Sequence, residues 1–369
     1  MSHHRTFTLA ASLLGAAALL STSAGLAHAG TDDPLRGDQW GLDQVHAEQA
    51  WATSTGAGAV VAVVDTGVDL NHPDLKGNLV AGATFTGCGQ QAQPCGNGDF
   101  RGPDGQNNGD EHGTHVAGIV AAVADNGTGV AGVAPNADIM PVKVLEEGSG
   151  TFEDIAAGIR WAADHGADVI NMSLGGLAGT QALTLTGLES SVTEAIAYAN
   201  AKGTAVIAAA GNSATPFCST PAWEPGAICV ASTDRNELKS WFSELPNKPD
   251  LKAVAAPGGA ALTSCKDDIV STVPAGTGSA SCGQKDYDYY AGTSMATPHV
   301  AGVAALLFAQ GRTLADVEAA LLDTARQPGT GLTGVYSPVH GWGIADATAA
   351  VQYAGAATVK DRKGGTKEH

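Results

Sequence analysis

Short apolar runs alternate along the chain with longer stretches in which apolar positions return every three or four residues. The runs at 59–64, 139–145, 168–173, 204–210, 227–232 and 252–256 are rich in Val, Ile and Ala and have few polar interruptions. Strands of that length without an in–out alternation belong to a parallel sheet covered on both faces. Stretches 152–165 and 192–202 have the helical period, and 300–308 is apolar all round, as a buried helix is. The alternation predicts an α/β fold: a doubly wound, mostly parallel sheet with helices on both faces, in one domain without internal repeat. Chemistry in such sheets gathers beyond the carboxyl ends of the strands. Asp65, Ser173 and Asn212 all stand at or just past a predicted strand end.

Asp65 closes the first run in Val64-Asp65-Thr66-Gly67, which puts a carboxylate at the sheet edge. His112 opens a small-residue helix candidate, His112-Gly113-Thr114-His115-Val116-Ala117-Gly118. Ser294, in Gly292-Thr293-Ser294-Met295-Ala296-Thr297-Pro298-His299, lies at the mouth of the 300–308 helix. Pro298 is expected in the first turn, where a missing N–H costs little. The unpaired N–H groups of a helix start stabilise negative charge on a neighbouring oxygen, and the same place suits a serine that only caps the helix. A serine hydroxyl becomes a nucleophile when a neutral imidazole accepts its proton and a carboxylate fixes that imidazole's tautomer. His112 and Asp65 are the candidates for those parts. His115 forms a His-x-x-His pair with His112, but no third ligand stands at zinc-enzyme spacing, and His299 reads as a packed or capping residue.

The order Asp, His, Ser is joined by Asn171-Met172-Ser173-Leu174-Gly175-Gly176 and Ala209-Ala210-Gly211-Asn212. Together these blocks resemble the subtilases, the subtilisin-like serine peptidases, from about residue 33 to about residue 355. The resemblance implies a triad of Asp65, His112 and Ser294, Asn212 as side-chain donor of the oxyanion hole, and peptide hydrolysis through an acyl-enzyme. It implies two extended segments, Ser173-Leu174-Gly175-Gly176 and Gly148-Ser149-Gly150, that pair with the substrate main chain and so give broad specificity. Ala208, Ala209, Ala210 and Gly211 would wall the primary pocket together with 173–176, and Leu145, Ile155 and Leu174 a second, apolar one. No acidic residue is evident at these walls. Large apolar side chains, rather than Lys or Arg, are therefore expected on the acyl side of the cut. The resemblance also implies a structural calcium ion on Asp74, Asn126 and the loop residues Ala124, Thr128 and Val130, with Asp33 adding a carboxylate as in the thermitase-like branch. A solvated acidic turn is the alternative there, and Asp99, Asp104 and Asp110 are expected to be solvated.

Composition adds an export reading. Residues 1–29 have a weakly basic start, an apolar middle and Ala27-His28-Ala29 as a small-x-small cleavage site, the pattern of a secretory signal peptide. The catalytic domain is then expected at 30–355. Few residues separate Ala29 from the catalytic pattern, so no sizeable folding prosegment is expected between them. Residues 356–369, with Lys360, Arg362, Lys363 and Lys367, are expected to be a disordered basic tail. Six cysteines in an exported chain point to disulfides. Local loops favour Cys88–Cys95, Cys218–Cys229 and Cys265–Cys282 among the fifteen pairings six cysteines allow, with cross-pairings left open. A net charge of −18 argues against nucleic acid or anionic membrane as partner. The expected partners are protein or peptide substrates, met by a monomer secreted to the extracellular space. Two other readings compete: a catalytically silent subtilase-fold binding protein, and a lipase or esterase. The second is opposed by the Asp–His–Ser order and by the lack of a Gly-x-Ser-x-Gly elbow.

Overall fold

A computed structural model describes residues 31–89, 92–106, 109–176, 190–262, 264–279 and 281–355. The signal-peptide and basic-tail expectations lie outside these described residues. Seven parallel strands run β1 (Val60–Asp65), β2 (Ala83–Thr84), β3 (Asp138–Lys143), β4 (Val169–Met172), β5 (Ala205–Ala209), β6 (Ala227–Thr233) and β7 (Ala253–Pro257), in the spatial order β2-β3-β1-β4-β5-β6-β7. β8 (Ile269–Thr272) and β9 (Tyr287–Tyr290) form a separate antiparallel pair. The helices are α1 (Trp40–Gln44), α2 (Ala47–Trp51), α3 (His112–Ala121), α4 (Phe152–Asp164), α5 (Ser191–Ala201), α6 (Thr293–Phe308), α7 (Leu314–Thr324) and α8 (Ala347–Gln352).

The doubly wound sheet expected from the sequence is present, and its six predicted strands end within two residues of the observed ones. Val61, Val63 and Ile207 point into one core with α3 and α6; Ala62, Val64 and Val206 point into the other with α4 and α5. Both faces are thus dry, which is why the strands read as unbroken apolar runs. α4 forms where it does because Thr151 caps it, its side chain accepting from Asp154 N at 3.0 Å, and Ile155, Ile159, Ala162 and Ala163 lie on one face at helical spacing. Thr313 and Asp316 start α7 with a reciprocal capping box.

The register sets the height of the site. Val63 pairs with Asn171 and Asn171 with Ile207. Two residues further along each chain, Asp65, Ser173 and Ala209 stand at one level of the sheet edge. The β2 strand and the β8–β9 pair were not anticipated; these strands are short, and β9 (Tyr-Asp-Tyr-Tyr) has no unbroken apolar run to mark it. One boundary changes the chemistry. The helix that carries Ser294 starts at Thr293, seven residues before the expected 300, so Pro298 lies inside it rather than in its first turn.

Candidate active site

A proline inside a helix leaves the carbonyl four residues back without its N–H donor. For Pro298 that carbonyl belongs to Ser294. Here the Ser173 hydroxyl, just past β4, takes the place of the missing donor: Ser173 Oγ donates to Ser294 O at 2.7 Å and is itself held by Asn171 Nδ2 at 3.0 Å. In return Ser294 Oγ donates to Ser173 O at 3.0 Å. The irregularity that Pro298 puts into the helix is what locks residue 294 to the sheet edge. Ser173, expected only as a substrate-facing residue, is therefore also the brace of the segment that bears Ser294.

Asp65 is completely buried at the end of β1, and its Oδ1 accepts from Thr66 N and from His112 Nδ1, both at 2.7 Å. A carboxylate only accepts, so Nδ1 carries the proton and Nε2 keeps its lone pair. His112 is the first residue of α3, and Gly113 lets that helix end close on β1: its N–H donates to Thr66 Oγ1 at 2.9 Å, and a β-carbon there would strike Gly67 O. Burial pulls the His112 pKa down, but the charge of Asp65 and the hydrogen bond to it pull it up further, so the imidazole titrates above its ordinary 6.5.

Asn212 follows β5. Its Oδ1 accepts from Thr293 N at 2.9 Å and from Thr293 Oγ1 at 3.0 Å, and Thr293 Oγ1 accepts from Gly211 N at 3.1 Å. A main-chain N–H can only donate, so the atom facing Thr293 must be the oxygen. The amide nitrogen is left facing the other way. A β-carbon built on Gly292 would lie 3.4 Å from Asn212 Nδ2 and 3.5 Å from Ser294 N, so these two donors border the same small volume.

His112 and Ser294 open into one cleft of about 620 Å³, lined also by Leu145, Gly148, Ser149, Gly150, Ile155, Ser173, Leu174, Gly175 and Gly176. Both predicted substrate segments and the predicted apolar pocket are brought together there. Ala209 and Gly211 are not in its lining: β5 keeps Ala209 buried, and the cleft is closed instead by Thr220, Pro221, Phe152 and Val192. The lining of the cleft itself holds no acidic residue, as expected, but the carboxylate of Glu244 lies outside it, packed on Gly211. Glu244 lies 32 residues beyond Asn212, and no local pattern links it to the site.

The remaining polar candidates separate cleanly. His115 Nε2 donates to the carbonyls of Ile269 and Asp288, and burial pushes its pKa down to about 3, so it is a neutral structural group and the His-x-x-His pair does not converge. His299 is likewise buried, pushed down to about 4, and bonded to Met295 O. Asp110, expected to be solvated, is buried: it pairs with the fully buried Lys143 at 2.6 Å, whose ammonium also donates to Thr66 O and Phe100 O. The other end of Asp110 accepts from Glu147 N, which ties the Asp65 corner to the 148–150 segment. The cysteines pair as Cys88–Cys95, Cys218–Cys229 and Cys265–Cys282.

Asp33 and Asp74 are both buried, and desolvation raises both, with a further push from Asp32 on Asp33 and from Asp33 on Asp74; Asp74 is pushed up to about 6. Among the described residues neither makes an ion pair. Asn126 Nδ2 and Val130 N donate to Asp74, at 2.7 and 3.0 Å, while Asn126 Oδ1 accepts from Thr128 N. Two members of the expected oxygen-ligand set thus present nitrogen to Asp74.

Fold and site together define a serine peptidase, and residues 56–356 match the model of the subtilase family, to which the chain belongs. It is 45% identical over 295 residues to thermitase of Thermoactinomyces vulgaris, an alignment covering 79% of this chain and 90% of thermitase. It is 40% identical over 314 residues to a thermophilic serine proteinase of Bacillus sp. strain AK1, covering 84% and 68% of the two chains. Among solved structures, one of proteases from Pseudoalteromonas arctica superposes with a TM-score of 0.73 at 37% identity, covering 88% of this chain and 99% of that one.

The Ser173 brace has a direct test. Ser173→Ala removes the hydroxyl that donates to the part-buried Ser294 O, which costs about 1–3 kcal/mol. Because that acceptor is a main-chain atom, the loss is expected in the Ser294→Ala background too, where urea midpoints are free of self-digestion. An unchanged midpoint there refutes the brace.

Proposed function

We propose that the chain is a secreted serine endopeptidase of broad specificity in which Asp65, His112 and Ser294 form the triad and Asn212 completes the oxyanion hole. The observation that carries this reading is the 2.7 Å bond from His112 Nδ1 to buried Asp65, which leaves Nε2 basic in the cleft shared with Ser294. A turn of the Ser294 side chain away from Ser173 O brings its hydroxyl to Nε2. The proton passes to Nε2 as Oγ attacks the scissile carbonyl, and the Asp65 charge stabilises the imidazolium. The developing oxyanion is met by Asn212 Nδ2 and Ser294 N, donors already fixed before substrate arrives. His112 then protonates the leaving amine, and water repeats the sequence on the acyl-enzyme. The glycine-rich edges 148–150 and 173–176 hold the substrate by its main chain, and the apolar lining favours large apolar side chains on the acyl side.

Secretion is supported by the pattern of residues 1–29 and by three disulfides, which persist in oxidising surroundings. The substrates are proteins or peptides, the working form is a monomer, and the acidic surface does not suit nucleic acid or anionic membrane. The paired carboxylates Asp33 and Asp74, buried without a cationic partner, fit a hard cation bound by oxygen. Calcium would be held by these two, by Asn126 and by carbonyls of Ala124, Thr128 and Val130, and would neutralise the buried charge.

Ser294→Ala is expected to abolish both peptide cleavage and fluorophosphonate labelling. Asn212→Ala should lower turnover by about 10²–10³-fold with little change in KM, the size of effect found when one oxyanion donor is removed. Undiminished cleavage by the first variant, or a pure KM effect in the second, would overturn the respective role.

The pH profile follows from His112. The imidazole must be neutral to accept the Ser294 proton, so kcat/KM falls as pH drops through its pKa, which Asp65 holds above 6.5. The acid limb is expected above pH 6.5, and Asp65→Asn should move it to lower pH while slowing the reaction. A limb that stays in place in that variant contradicts the assignment.

A ligand bound only by the folded state raises stability with its concentration. Excess chelator should therefore lower the melting temperature of the Ser294→Ala protein relative to excess calcium, and Asp74→Asn should remove the difference. Equal midpoints would return Asp33, Asp74 and Asn126 to a metal-free acidic turn.

A further inference from the structure

We propose that Glu244 is the charged floor of the primary specificity pocket and that the enzyme accepts Lys and Arg, beside large apolar residues, on the acyl side of the cut. The inference rests on the endopeptidase reading above and names a substrate class for that same cleft.

The floor is defined by main-chain bonds. Ser219 N donates to Ala210 O at 2.8 Å, and Gly176 N donates to Thr220 O at 2.8 Å. The 219–220 segment is therefore fastened both to the 173–176 edge that lines the cleft and to the end of β5 behind it. Directly beneath it, Ser219 Oγ donates to Glu244 Oε2 at 2.8 Å. The carboxylate also packs on Gly211, just past the end of β5. Gly211 has φ +116° and no side chain, and a β-carbon there would lie 2.6 Å from Glu244 Cδ and 2.7 Å from Oε2. Glu244 N donates to Gly211 O at 2.9 Å, which fixes the two residues against each other.

Glu244 is only 1% exposed, and among the described residues no Lys, Arg or His stands within ion-pair distance of it. Its support comes from neutral donors: the hydroxyls of Ser219 and Thr215 and the N–H groups of Ser213 and Ser219. Burial raises its pKa above the ordinary glutamate range and these donors only partly offset that. A buried carboxylate without a cation gains most from a charge-assisted partner. A Lys or Arg side chain entering from the cleft would lay its aliphatic stem along the glycine-rich walls and bring its charge to that floor, at Glu244 directly or through Ser219 Oγ.

The experiment compares two peptide anilides with identical residues further from the cut, one with Lys and one with Leu next to it. The wild type is expected to cleave the Lys substrate with a kcat/KM within about tenfold of the Leu substrate, and the Lys:Leu ratio should fall roughly ten- to a hundredfold in Glu244→Gln, the worth of a hydrogen bond to a charged group. A ratio taken on one preparation is independent of how much of the variant folds. If the variant does not fold at all, benzamidine decides: competitive inhibition of Leu-substrate cleavage by the wild type supports the floor, and its absence at millimolar concentration overturns it. An unchanged ratio in Glu244→Gln, or a wild type that cleaves Leu and not Lys, also overturns it. Failure to cleave either substrate strikes the endopeptidase reading instead.

Discussion

Every strand of a parallel sheet must end on the same edge as its neighbours, and that constraint places the chemistry. β1, β4 and β5 deliver Asp65, Ser173 and Ala209 at one height because their registers are locked by pairing deep in the sheet, far from any reacting group. The strands supply neither His112 nor Ser294, which approach the edge from outside. Two helices of small residues bring them. α3 comes close enough for Gly113 N–H to bond Thr66, and α6 is tied down through Ser294 O. The site is thus the meeting of three strand ends with two helix starts, where unpaired N–H groups are naturally concentrated.

The sequence carried the strands, the helices and their alternation almost intact, because both faces of the sheet are dry and leave an unmistakable apolar record. It also carried Asp65, His112, Ser294 and Asn212, which lie in short contiguous blocks at element ends. It did not carry the consequences of Pro298. A proline near a helix start reads as a first-turn residue, and only the three-dimensional partner of Ser294 O shows that α6 runs through it. Nor did it carry Glu244 or the Asp110–Lys143 pair. Lys143 lies 33 positions from Asp110 and Glu244 25 from Ser219, and a lone acid in Ser243-Glu244-Leu245-Pro246 looks like a surface residue until its neighbours are known.

The buried carboxylates show how one problem is met in different ways. An isolated charge in the interior is costly, and the cost is removed by a cation, by convergent dipoles, or by protonation. Asp65 has the imidazole of His112, which in the proposed mechanism would become fully cationic only once the proton has moved, when the attraction would be strongest. Asp110 has Lys143 permanently, and that pair is structural. Asp69 and Asp288 are met by main-chain N–H groups of Asn71 and Ala275 and of Ser279 and Tyr289.

Asp33, Asp74 and Glu244 fall in none of these groups. Their donors are partial and desolvation prevails, raising the pKa of all three. They differ in what lies next to them. Asp33 and Asp74 both accept from Asn126, and on the proposed reading a doubly charged cation would answer the two carboxylates at once. Glu244 is single, and on the proposal made for it a singly charged group on an aliphatic stem would be its partner. The electrostatic deficit is of the same kind in both places; on the two proposals, the number of carboxylates and the surroundings would decide between a metal ion and a substrate side chain as the partner.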